Sequence, residues 1–531
     1  MIYILAPEQR KDALDIVYPA LCRSFTPNIV FSLNYASWEA KLSELSLSKD
    51  QRLFLVLIDP LDVWVDLLIK SYEILNVKIM IFGSLPVKLA SYFNASIGSV
   101  SDEAVQLGGC QPAPRFSSSE SRLHVDYKNP IGDYHSPTPL RPFLRYDFTD
   151  EWNNLGYGAI RTDHSIWALS QILQVTDDVC IANIMDGDKK VSAYVALWNS
   201  VNASLLWFNR PVGPVDSQEW FLIEVYFARY RSLDLPCAPY LSEIPFGYEA
   251  AVTMRLDCDE DIESARLLWK AYLQLEVPFS LAIHTKVLSD KSQYLLPKEV
   301  LASGGAILSH TATHAPDWGG TYEAAFDEAI TSKNLIKSKI GCEVRYAVSP
   351  FHQTPVYARE ALLEAGYMGC IGGIIRNDPD FLMARSGVPP LSKDGFIGHS
   401  QQCMLHGDCM IDSDDPISTF KQAFKFAQKS ETFFGYLDHP FSPRYQYGWK
   451  TEEQRIKTHQ DFICYIKSYP NVLFANQNDA LDFLTYRSKV RIEAHGLNYK
   501  VILDNRYQSK WAVKVNYKDS SFELDAKGVE I

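Results

Sequence analysis

Three short stretches of the chain concentrate the residue types that metal-assisted hydrolysis needs. The first is Asp257-Cys258-Asp259-Glu260-Asp261, directly after the apolar run Ala250–Leu256. Residues two apart share a side of an extended chain, so the two aspartates take different roles if the backbone turns there. The plainer reading is an acidic cap for a helix starting near Ile262. The second stretch is Ser309-His310-Thr311-Ala312-Thr313-His314. Two histidines four apart lie on one face of a helical turn and can grip one metal ion. Taken alone, a pair of ordinary buried or surface histidines explains them equally well. The third is Asp438-His439-Pro440, after Phe433–Leu437. Imidazole titrates near neutral pH, which suits a general acid, although a satisfied loop histidine would look the same. Each follows a strand-like run. That shared location favours chemistry over three coincidences.

These positions need a scaffold that gathers strand ends. From residue 246 the sequence alternates short apolar runs with helical spacing: Ala250–Leu256, Phe279–Ile283, Ala306–Ser309, Val344–Ser349, Met368–Ile371, Thr432–Leu437 and Val472–Phe474 as strands. Repeated βα units predict an α/β barrel, whose active-site face lies at the C-terminal strand ends. Before it, Ile2–Ala6, Leu53–Ile58 and Val77–Phe82 alternate with helices and predict a doubly wound, flavodoxin-like α/β domain over 1–110. No glycine-rich loop follows the first strand, so no nucleotide is assigned to it. Gly108–Ser119 reads as a linker, 120–245 as a second α/β or mixed domain or the completion of the first, 246–487 as the barrel, and 488–531 as a small β module.

Region 250–485 resembles the polysaccharide deacetylases with a NodB-homology domain. That resemblance implies a distorted, incomplete (β/α) barrel. It makes Asp257 the catalytic base, Asp259, His310 and His314 the ligands of one divalent metal, and His439 the general acid. Zinc is the first expectation for that donor set, with iron, cobalt or nickel also fitting. The family's third motif usually carries Arg-x-Pro, the arginine tethering the base. Here Val348-Ser349-Pro350 keeps only the proline, so Arg255 or Arg385 is expected to hold Asp257. The fourth motif has no clear match. A backbone N–H near Phe351 is expected to face the developing oxyanion.

The substrate implied is a carbohydrate carrying an N-acyl, most simply N-acetyl, amino sugar. The alternatives are a deformylase of a formylamino sugar and a silent carbohydrate-binding relative. Tyr445, Tyr447 and Trp449, just after His439, could stack on a sugar ring or simply pack. Cys258 reads as a buried small residue.

The bulk properties agree. With 531 residues, 47% hydrophobic and 22% charged, the chain is a globular protein of two to four domains. A net charge of −13 without a basic run excludes the electrostatic footprint of a nucleic-acid binder. The ten cysteines form no C-x-x-C pair and read as free thiols. The start, MIYILAPEQRKDALDIV, lacks a basic region and a long apolar core, so a cytoplasmic protein without signal peptide or membrane span is expected.

Overall fold

The computed structural model describes the whole chain except residues 46–52, 100–122, 138–139, 143–165, 215–216, 373–383, 394, 400–402, 411–413, 497, 505 and 526. The linker expected at 108–119 lies outside the described residues.

The N-terminal strands Leu53–Ile58 and Val77–Phe82 are apolar throughout because both faces are covered; all twelve residues are buried. Among the described residues they sit in a nine-stranded sheet. Its parallel half runs Val30–Leu33, Ile2–Leu5, Leu53–Ile58, Val77–Phe82, Ala203–Phe208. Lys189–Asn199, Cys180–Asp186, Leu123–Tyr127 and Leu140–Pro142 extend it antiparallel. Strands from 1–110 and from 120–245 thus share one sheet. The helix Ser217–Ala228 is buried on every side, which explains why apolar residues fall on all its faces; its buried Glu219 and Glu224 are met by Tyr127 and Arg385.

The second large sheet is parallel and curled into a half-barrel. Its order is Ile397–His399, Gly369–Ile371, Tyr346–Val348, Ala306–Ser309, Ser280–Ile283, Ala250–Cys258, Phe434–Asp438, Cys403–Met404, with Val472–Ala475 also paired to Ala250–Cys258. Helices such as Tyr322–Ile340 and Glu452–Lys467 wrap it. The tail forms two small antiparallel sheets. One joins Arg491–His495, Asn498–Ile502 and Val529–Glu530; the other joins Val513–Tyr517 and Ser520–Leu524 to Tyr240–Leu241.

One apolar core runs through all these parts, containing Phe227, Leu308, Phe483 and Val513 together. Arg487, at the end of the helix Gln477–Arg487 and 1% exposed, ties them at one point. Its guanidinium donates to the carbonyls of Ser242, Ser386, Arg23 and Leu241 at 2.7–3.0 Å. No helix among the described residues is long and apolar enough to cross a membrane.

Candidate metal centre

The strand Ala250–Cys258 sorts its side chains by the two-residue period. Met254, Leu256 and Cys258 join the apolar layer outside the sheet. Arg255 and Asp257 take the opposite side. There Arg255 Nε and Nη2 donate to the two Asp257 oxygens at 2.6 and 3.2 Å. Burial would push the Asp257 carboxyl up; the Arg255 charge, with His310, more than offsets it and holds it at about 2. Of the two arginines named from sequence, Arg255 is therefore the tether; Arg385 pairs instead with Glu224.

Asp259 lies just past the strand. Its Oδ1 is 3.3 Å from His310 Nε2 and 3.7 Å from His314 Nε2, and those two nitrogens are 3.1 Å apart. The histidines do not meet on a helical turn, as their spacing predicts. They sit in a loop that doubles back through left-handed backbone at Thr311 (φ 66°) and His314 (φ 57°). Glu328, from Tyr322–Ile340, pins this loop by accepting from Ala312 N, Thr313 N and Thr313 Oγ1. His310 Nδ1 is 3.0 Å from the Val348 carbonyl and must donate to it. That points Nε2, the atom a cation would take, at Asp259. Burial is outweighed by Asp257 and Asp259, which push the His310 ring up. Burial and the neighbouring His310 push His314 down to about 4, so His314 is a neutral donor.

These residues fit a divalent cation. Ligands about 2.1 Å from a tetrahedral zinc ion stand roughly 3.4 Å apart, and the three separations observed bracket that value. Asp259 Oδ1 is buried without a hydrogen bond, a cost that a cation would remove. A second trio, His406, Asp438 and His439, is also close enough to share an ion, but the lone pairs of its carboxylate are taken. Asp438 accepts from Arg455, His459, His439 N and Trp449 Nε1 at 2.7–3.4 Å. It is a hydrogen-bond network.

His439 faces the centre, with Nε2 3.5 Å from Asp259 Oδ2. Its other nitrogen, Nδ1, is 2.9 Å from His406 Nε2, and Tyr447 stacks on its ring at 4.1 Å. Burial and His439 itself push His406 down to about 3, so it is neutral. Sequence reasoning missed His406, because the strand before it, Cys403–Met404, has two residues and no readable period. It also missed His352, which shares the cavity with Asp257 and Asp259. Burial and the Arg255 charge push His352 down to about 3. Phe351 and His352 both have left-handed backbone, at φ 52° and 57°. Such strain clusters at working sites. The cavity over these groups measures about 160 Å³. Phe351, exposed and packed on His314 at 4.7 Å, lines it, and exposed Tyr445 lies next to the lining Tyr447, ring centroids 6.0 Å apart. Trp449 is 1% exposed and donates to Asp438, so it packs rather than reaching solvent.

No protein-family model matches the sequence, and no curated protein is similar to it. Solved structures do overlap with it. One described as a polysaccharide deacetylase from Mycobacterium smegmatis aligns over 45% of this chain and 92% of its own, at 12% identity and a TM-score of 0.36. An allantoinase aligns over 45% and 91%, at 14% identity and 0.34. A family 4 acetyl xylan esterase from Clostridium thermocellum, solved with cobalt, aligns over 44% and 91%, at 11% identity and 0.29.

Proposed function

We propose that the chain is a metal-dependent hydrolase that removes an N-acyl group, most simply acetyl, from an amino sugar. The observation that carries this reading is the convergence on one cavity of Asp259, His310 and His314, with a buried carboxylate on one side and an imidazole on the other. Asp259, His310 and His314 would hold the cation, which supplies Lewis acidity toward the acyl carbonyl and the attacking water. Asp257, kept ionised by Arg255, takes the proton from that water. Deep burial and two N–H donors fix its position, so it is poised without reorganising. His439 donates a proton from Nε2 to the departing nitrogen, and His406 at Nδ1 sets the plane of its ring. His314, His352 and His406, all pushed down by burial, add no positive charge there, so the developing negative charge would fall to the bound cation and to backbone N–H groups near Phe351. Exposed rings at Phe351 and Tyr445 offer flat apolar faces of the kind that sugars stack on.

The decisive test is elemental analysis of wild type beside His310→Ala, with acetate and formate release assayed on N-acetyl and N-formyl amino sugars. The expected result is about one metal ion per chain and acetate release, both lost in the variant. Formate without acetate would assign the smaller acyl group. Metal without release of either would sink the hydrolase reading.

A further inference from the structure

In the N-terminal sheet a lysine is buried without an acidic partner among the described residues. Lys78 lies on the central strand Val77–Phe82 and is fully buried. Its amine has two polar neighbours, the Phe227 carbonyl at 3.3 Å and the Cys237 thiol at 3.4 Å, with the Tyr226 ring 5.8 Å away. Among the described residues no carboxylate pairs with it. Cys237, 1% exposed, follows the buried helix Ser217–Ala228, packs in the apolar core, and its thiol also lies 3.8 Å from the Leu235 carbonyl. An ammonium group has three donors to place and here finds one good acceptor. A neutral amine suits the site better, donating to the carbonyl and turning its lone pair to the sulfur. Burial lowers Lys78 to about 8, so a free lone pair is available in a minor fraction at neutral pH and in half the molecules near pH 8.

We propose that Lys78 and Cys237 form a reversible sulfur–nitrogen cross-link when the protein meets a peroxide. In the first step the thiol attacks the peroxide. An S–O bond forms, the O–O bond breaks, and sulfenic acid and water result, the sulfur oxidised by two electrons and the peroxide reduced. In the second step the Lys78 lone pair attacks sulfur. The S–N bond forms, the S–O bond breaks, and the hydroxide leaves as water with a proton from nitrogen. Sulfenic acids condense with nitrogen nucleophiles in this way when no thiol intervenes. Here burial keeps other protein thiols out, while a peroxide is small enough to enter during local opening. Cys258 is equally buried but bonds only to the Leu256 carbonyl, and its thiol is pushed up by burial and flanking carboxylates. Lys78→Met is therefore the control for burial without an amine, and exposed Cys464 is the control for oxidant.

The test is mass spectrometry of the full-length protein after hydrogen peroxide, digested without reductant. The expected product is a peptide pair joining residues 78 and 237, lighter by two hydrogen atoms than the separate peptides. Dithiothreitol should separate it, and Cys237→Ser and Lys78→Met should lack it. The link spans 159 positions, so the oxidised protein should melt several degrees higher, and reductant should reverse the shift. If Cys464 is oxidised while Cys237 in the folded wild type stays a thiol or advances to sulfinic acid, the cross-link is wrong.

Discussion

Two residues act on the site only through others. Arg255 supplies the guanidinium that the third motif lacks, from two positions upstream of Asp257 on the same strand face. Arg255→Met would leave a buried carboxylate unpaired. It should cost about 3–5 kcal/mol in urea unfolding, where an exposed pair would cost little. His406 holds the ring of the general acid. Its removal should matter in proportion to how badly the leaving group needs a proton. His406→Ala should lower amide hydrolysis by about 100-fold or more, yet lower hydrolysis of p-nitrophenyl acetate far less. Equal losses on both would assign His406 a purely structural role. Asp257, Asp259, His310, His314 and His439, singled out by type and spacing, line one cavity. His406 and His352 were not singled out, because neither belongs to a pattern, and each is brought in by a short or strained segment.

At the level of elements, the long βα units could be read from apolar periodicity. The edge strands Ile397–His399 and Cys403–Met404 could not, being two or three residues long beside glycine, serine and glutamine. The His310–His314 spacing also misleads about geometry. A helical turn would set the rings side by side, but the loop brings their Nε2 atoms to 3.1 Å. That loop depends on Glu328. Glu328→Ala removes three hydrogen bonds and no ligand. It should weaken metal affinity about 10–100-fold in a chelator competition assay, as loss of outer supports does, while the stoichiometry stays that of wild type.

Across the whole molecule, the core ignores the sequence divisions. Leu481, Phe483 and Leu484, on the helix that ends at Arg487, are fully buried in the core shared with the N-terminal sheet and the tail. A barrel cut out at 246–487 would expose them. It should be insoluble or unfold without a cooperative transition, whereas the full chain should show one transition by fluorescence and circular dichroism together. Composition and hydropathy describe segments, so they carry no information about which segments share a core.

The grip of Arg487 also sets an order of events during synthesis. The carbonyls of Arg23 and Leu241 leave the ribosome hundreds of positions ahead of the guanidinium that takes them. Until then they must be hydrated, and the apolar surfaces beside them stay uncovered. N-terminal regions usually settle first on the ribosome. Here the first segment made is among the last to be finished, so a nascent chain stopped short of residue 487 is a natural client for a holding chaperone.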